Sequence, residues 1–181
     1  MHRLFCAALT LCLLASVSSF LGTNAMAAIN SGAYGSVCWS LNTSSGELKF
    51  TGSGEIPDFI SCKPAWMEHC DSIKSVNIGK GITRIGDNAF CYDGSSCPSL
   101  SKLTLPSTLL SIGSHAFEGS ALKKVSFPKQ LETVGSYAFA DTPVRKLELP
   151  GSVAELGKFA FSGSELTEVV LPDGLETLEA G

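Results

Sequence analysis

A 22-residue period in the second part of the chain leaves few folds open to it. Three consecutive segments, LSKLTLPSTLLSIGSHAFEGSA, LKKVSFPKQLETVGSYAFADTP and VRKLELPGSVAELGKFAFSGSE, begin at Leu100, Leu122 and Val144, each 22 residues after the last. A further copy begins at Leu166 and stops at Gly181, short of its own Ala-Phe pair. An earlier copy begins at Ile73 and runs 27 residues to Leu100, with five additional residues inside Cys91 to Ser99. Five copies, the last incomplete, thus occupy residues 73–181. A unit this short cannot enclose a core alone, because ordering its backbone outweighs the apolar surface it can bury. Such units must stack, each closing the open faces of its neighbours.

Each column of the repeat has a physical task. Val76, Leu103, Val125, Leu147 and Val169, followed two residues later by Ile78, Leu105, Phe127, Leu149 and Leu171, give a short strand whose large residues point inward. Pro106, Pro128, Pro150 and Pro172 follow directly and end strand pairing, since proline has no N–H to donate. A second apolar pair comes next, as in Leu109 and Ile112 or Leu131 and Val134. Gly86, Gly113, Gly135 and Gly157 then suggest a tight turn at positive φ. Ala89-Phe90, Ala116-Phe117, Ala138-Phe139 and Ala160-Phe161 close the coil, the alanine allowing close approach and the phenylalanines stacking into an interior spine.

The pattern L-x-x-V-x-L-P-x-x-L-x-x-I-G-x-x-A-F resembles the BspA-like class of leucine-rich repeats over Ile73 to Gly181, departing at Gly79 and Glu179. Residues Gly35 to Asp71 are similar to the entry module of that family, through Cys38-Trp39-Ser40-Leu41, Glu47-Leu48-Lys49-Phe50, Gly52-Ser53-Gly54 and Pro64-Ala65-Trp66. The resemblance implies an α/β repeat solenoid: a right-handed leucine-rich-repeat superhelix with a parallel sheet on its concave face. It also implies secreted or cell-surface proteins that mediate adhesion and protein–protein contact, recognising partners on that face.

Residues 28–72 read as a small β-hairpin cap. Val37, Trp39 and Leu41 alternate with polar residues, as do Leu48 and Phe50, and Asn42 to Gly46 makes the turn. Trp39 and Trp66 belong most simply to that cap, and Asn42-Thr43-Ser44 is a glycosylation sequon on its turn. Ahead of it, Arg3, the apolar run Leu4 to Leu21 and Ala25-Met26-Ala27 form a secretory signal over residues 1–27, cleaved after Ala27, leaving a chain that does not insert into the membrane. Export favours disulfides among the five remaining cysteines: Cys91 with Cys97 first, Cys62 with Cys70 second, and Cys38 able to displace either. Cys62, His69 and Cys70 lack a recognisable zinc spacing, so no metal and no cofactor is expected. The C-terminal copy has no comparable cap, which suggests either further sequence or another chain covering that end.

Outward strand positions hold the candidate binding residues. Lys74, Lys102, Lys123, Lys124, Arg145 and Lys146 fall there, although the chain carries a net charge of −4. Lys102, Lys124 and Lys146 would form a ladder at the ~4.8 Å spacing of paired strands. They are either a solvated face or a strip for an acidic partner, a protein patch or an anionic glycan. Nucleic acid is not expected of an acidic chain without aromatics among its lysines. Catalysis finds no support: only His69 and His115 follow the signal, and G-x-S-x-G, H-E-x-x-H and phosphate-binding glycine loops do not occur. The remaining alternative is a structural spacer that displays another region.

Overall fold

The computed structural model describes residues 29–178. The signal and its cleavage point lie outside them. Fifteen strands follow one another: β1 (Ile29–Tyr34), β2 (Val37–Asn42), β3 (Glu47–Gly52), β4 (Gly54–Ile56), β5 (Ser75–Ile78), β6 (Ile82–Ile85), β7 (Cys91–Tyr92), β8 (Ser95–Ser96), β9 (Lys102–Thr104), β10 (Ser111–Ile112), β11 (Thr133–Val134), β12 (Lys146–Glu148), β13 (Glu155–Leu156), β14 (Glu168–Val170) and β15 (Thr177–Leu178). Two merged 3-10 turns, Ala65–Ser72, separate β4 from β5.

In two blocks, β5 with β9 and β12 with β14, the first strand of a repeat pairs in parallel with its counterpart in the neighbouring repeat, as the period requires. Ser75 faces Lys102, and Lys146 faces Glu168. At its leading edge this sheet turns antiparallel, in the order β1-β2-β3-β5-β9. The expected turn at Asn42 joins β2 to β3, with Asn42 opposite Glu47, and β1 adds a strand that the sequence reading did not assign.

The second apolar pair of each repeat also forms strands. β4, β6, β10, β11, β13 and β15 make one six-stranded parallel sheet in repeat order. Most contribute two residues each, such as Ser111–Ile112 against Thr133–Val134. A third run of backbone bonds links successive Ala-Phe segments, with the Phe117 N–H donating to Ala138 O at 2.8 Å and the Phe139 N–H to Ala160 O at 2.8 Å. Successive turns are therefore tied along up to three lines, of which the second sheet and the Ala-Phe run are continuous through the third repeat.

No α-helix occurs among the described residues, which corrects the α/β expectation. In the repeats, the link from the first to the second strand is a tight turn, such as Leu109 N–H to Pro106 O, and the link onward carries a left-handed residue, such as His115. No uninterrupted stretch remains for a helical nucleus of several residues.

The repeat glycines have a different role from the expected one. Gly86, Gly113, Gly135 and Gly157 are not among the positive-φ residues; that conformation falls two positions later, on Asn88, His115, Tyr137 and Phe159, with φ of 58°, 56°, 57° and 55°. Glycine is needed because the neighbouring turn occupies the space of a Cβ. One added to Gly135 would stand 2.5 Å from Ser114 N, and one added to Gly157 would stand 2.4 Å from Ser136 N. Left-handed backbone is unfavourable for bulky residues. Here the side chains stack in return, His115 on Tyr137 at 4.9 Å and Tyr137 on Phe159 at 5.0 Å.

The core follows the inward columns. Phe90, Phe117 and Phe139 are fully buried and stack with Phe161 at centroid distances of 4.9, 5.3 and 5.3 Å. At the leading end the spine meets Trp66, whose indole N–H donates to Ala89 O at 2.8 Å. Tyr34, Trp39, Phe50 and Phe59 pack edge-on around that ring. Both tryptophans are thus spent on packing. In the last turn the same columns are open: Val169 is 50% exposed where Leu147 is 3%.

Candidate binding face

The outward positions of the first apolar segment in each repeat are all exposed or half-exposed, the six candidate cations included. The six candidate cations among them divide into two groups. Arg145 pairs with Glu165 at 2.9 Å, and Lys146 pairs with Glu168 at 2.8 Å and more loosely with Glu148 at 3.7 Å. The Glu168 hydrogen bond and charge, with help from Glu148, hold the Lys146 ammonium above its ordinary pKa. Among the described residues no carboxylate lies within ion-pair distance of Lys74, Lys102, Lys123 or Lys124.

The expected lysine ladder is not formed, because the sheet breaks in the third repeat. Residues 123–127 are not a strand, and no backbone hydrogen bond joins them to β9 or to β12. The charges match the break. Pairing persists where Lys146 faces Glu168, and fails where Lys124 would stand between Lys102 and Lys146. Like charges placed directly opposite destabilise a pair, and opposite charges stabilise it. Phe127 also fills a slot held by leucine on either side, at Leu105 and Leu149, and turns edge-on to Phe139 at 5.6 Å.

A cavity of about 730 Å³ opens at the break, with Lys124, Phe127 and Lys129 on one wall and Lys146, Glu148 and Leu149 on the other. Its size lies within the range of ligand-binding clefts. Lys129, Phe127 and Gly151 at its rim were not foreseen; the one sequence signal was the aromatic in a leucine column. A shallower cavity of about 310 Å³ runs along the glycine row of the second sheet, between Arg84 and Thr177.

The remaining expected sites are placed as follows. No disulfide joins the described cysteines, so neither Cys91–Cys97 nor Cys62–Cys70 is formed. The inserted residues form the β7–β8 hairpin, in which Cys91 lies directly opposite Ser96. Cys97, one residue further, falls on the other side of the ribbon. Its sulfur meets the Met67 thioether at 3.5 Å, while the Cys91 sulfur lies 3.9 Å from a Glu118 carboxylate oxygen. Burial, and then the Glu118 charge, push the Cys91 thiol up to about 11. Burial raises Cys97 as well. Both are protonated at neutral pH and unsuited to nucleophilic chemistry. The Cys70 sulfur lies 3.9 Å from Asp71, and His69 shares a 2.7 Å hydrogen bond with Asn30. His115 contacts Glu118 and the Tyr137 ring. Asn42 directs its carbonyl oxygen back into the turn, accepting the N–H groups of Ser44 and Ser45 at 3.0 and 3.1 Å.

Parallel ladders in register at the repeat spacing, an alanine–phenylalanine spine and a glycine row that excludes side chains together define the repeat class. The sequence matches the profile of the BspA type leucine rich repeat region over residues 24–96 and 94–181, in six copies. The chain belongs to this family. The spacing gives five copies from Ile73; β3 and β4, which pair in parallel with β5 and β6, supply repeat-like strands ahead of them. Members of the family are generally protein-interaction modules rather than enzymes, and typically secreted or cell-surface. No helix among the described residues is long and apolar enough to cross a membrane.

Among solved structures, the chain is similar to a leucine-rich repeat protein from Eubacterium ventriosum, at 26% identity and a TM-score of 0.68 over 85% of this chain and 44% of that one. It is also similar to the T. pallidum leucine rich repeat protein, at 27% identity and a TM-score of 0.54 over 78% of this chain and 71% of that one. A leucine-rich repeat protein from Bacteroides ovatus shares the fold at 22% identity and a TM-score of 0.56, over 81% of this chain and 43% of that one. The chain thus spans less than half the length of the first and third of these. No curated protein matches it.

Proposed function

We propose that this chain is an exported recognition module that docks an acidic protein partner on the outward face of its first strands. In this reading the repeats wind as a right-handed solenoid with that face concave, and β1 to β3 cap the leading end. One observation carries the proposal. Lys74, Lys102, Lys123 and Lys124 stand exposed and, among the described residues, without a carboxylate partner on one face of a chain whose net charge is −4. Cations left uncompensated in this way raise the local concentration of acidic partners and speed their docking. Arg145 and Lys146, held by their own glutamates, contribute less.

The test is binding to immobilised polyglutamate across a salt series. The triple variant Lys102→Ser, Lys124→Ser, Lys146→Ser is expected to bind several-fold more weakly, with a flatter salt dependence. Unchanged binding by the variant contradicts the proposal. Retention on heparin together with indifference to polyglutamate would move the partner to an anionic glycan.

A further inference from the structure

We propose that the cleft at the break in the first sheet is a strand acceptor. A short, extended, acidic segment of a partner protein lies in it and hydrogen-bonds to main-chain groups that no strand of this chain uses. The inference rests on the acidic-partner reading above and adds the manner of binding.

Three observations converge on the same few residues. The first is the main chain. Residues 123–127 carry the strand pattern of every other repeat, yet their N–H and C=O groups pair with neither neighbour, and β12 pairs only with β14. An unpaired strand edge is a template for another strand, and many domains bind extended peptides by completing a sheet in this way.

The second observation is space. The cavity of about 730 Å³ lies between these two unpaired edges rather than elsewhere on the face. The second sheet and the Ala-Phe run remain bonded across the same repeats. Val134 stays in register with Leu156, and the Phe139 N–H still donates to Ala160 O. Such a scaffold keeps the turns together while leaving the two edges unpaired. Pre-formed clefts of this kind lower the ordering cost of binding.

The third is chemistry. Phe127 and Leu149 line the cavity together with Lys124 and Lys129, neither of which has a carboxylate within ion-pair distance among the described residues. Successive side chains of an extended peptide point to opposite sides. A segment alternating acidic and apolar residues would therefore set carboxylates against the lysines and apolar groups against Phe127.

The test uses a short fluorescent peptide of alternating glutamate and valine, and the same peptide with alternate backbone nitrogens methylated. Methylation keeps every charge and removes every second N–H donor, those on one side of the extended strand. Binding to the full chain is expected for the parent peptide, with roughly tenfold or greater weakening on methylation, since each lost hydrogen bond is worth about a kcal/mol. The double variant Lys124→Ser, Lys129→Ser, which alters only exposed side chains, is expected to bind several-fold more weakly. Equal affinity for both peptides overturns strand addition and leaves the acidic-partner reading standing. So does a chain that binds polyglutamate but ignores the parent peptide. A chain that binds neither removes both.

Discussion

The two sheets are built from the same repeats, yet one is continuous and the other is broken. The second sheet runs through six strands from β4 to β15. The first stops after β9 and resumes at β12. Both use short parallel strands with buried apolar residues, so burial does not distinguish them. The second sheet is flanked by glycines whose neighbours leave no room for a Cβ, which holds successive turns at one spacing. It is also clamped at its leading end. Asp58 accepts the Asp87 N–H at 2.8 Å and the Arg84 guanidinium at 2.6 Å, and Asp87 accepts the Ser114 N–H at 2.9 Å. The first sheet carries its charges outward, and pairing fails where three lysines would align. Close backbone contact holds one face together, and on the other the break coincides with aligned like charges.

That contrast can be broken at several points. Phe139→Ala removes a fully buried ring at the level of the break and is expected to destabilise the chain by about 3–5 kcal/mol in urea unfolding, the largest effect. Gly135→Ala forces a Cβ against the Ser114 backbone on the continuous face and is expected to lose about 1–3 kcal/mol. Lys124→Glu places an opposite charge between Lys102 and Lys146. It is expected to restore pairing across the break, with a gain of roughly 0.2–1 kcal/mol and slower amide exchange at residues 124–127. Gly151→Ala, on the rim of the cavity where no atom lies within 4 Å of the added carbon, is expected to stay within about 0.5 kcal/mol of the parent. Gly135 and Gly151 thus form a matched pair, one glycine on each face.

The clamp provides the pH test. Burial raises the Asp58 carboxyl, but the Asp87 N–H and the hydrogen bond and charge of Arg84 outweigh it and lower its pKa below 3.8. A carboxylate lowered on folding contributes stability above its unfolded pKa, and that contribution fades as pH falls through the folded value. Asp58→Asn is therefore expected to flatten the loss of stability below about pH 4 and to leave the slope near neutrality unchanged. Half-exposed as the group is, the effect is the smallest of the set.

Most of the core was legible because the period assigns inward positions without reference to secondary structure. Phe90, Phe117 and Phe139 needed only their spacing. The second sheet was not legible: its strands are mostly two residues long, and Leu109 and Ile112 are three apart, so no alternation marks them. The repeat glycine was found for the wrong reason, since a missing Cβ looks the same in sequence whether the backbone needs positive φ or the neighbour needs space. The Cys91–Cys97 expectation failed on facing, which depends on where the hairpin turns: placing that turn at Asp93-Gly94 sets Cys91 against Ser96 rather than Cys97. Of the binding face, the cations could be read but their partners could not. Glu165 reaches Arg145 from the far end of the same repeat and Glu168 reaches Lys146 from the following one, and the break at Lys124 sits in a copy set apart from its neighbours in the strand columns by Val125 and Phe127.

Residue-resolved amide exchange across the third repeat tests the central claim most directly, by comparing Val125 with Val134. Both side chains are buried, but only Val134 lies in a paired strand. The account expects the amides of residues 124–127 to exchange at least ~100-fold faster than those of β11 and β13. Equal protection on the two faces would mean that the first sheet is continuous in solution, and would contradict it.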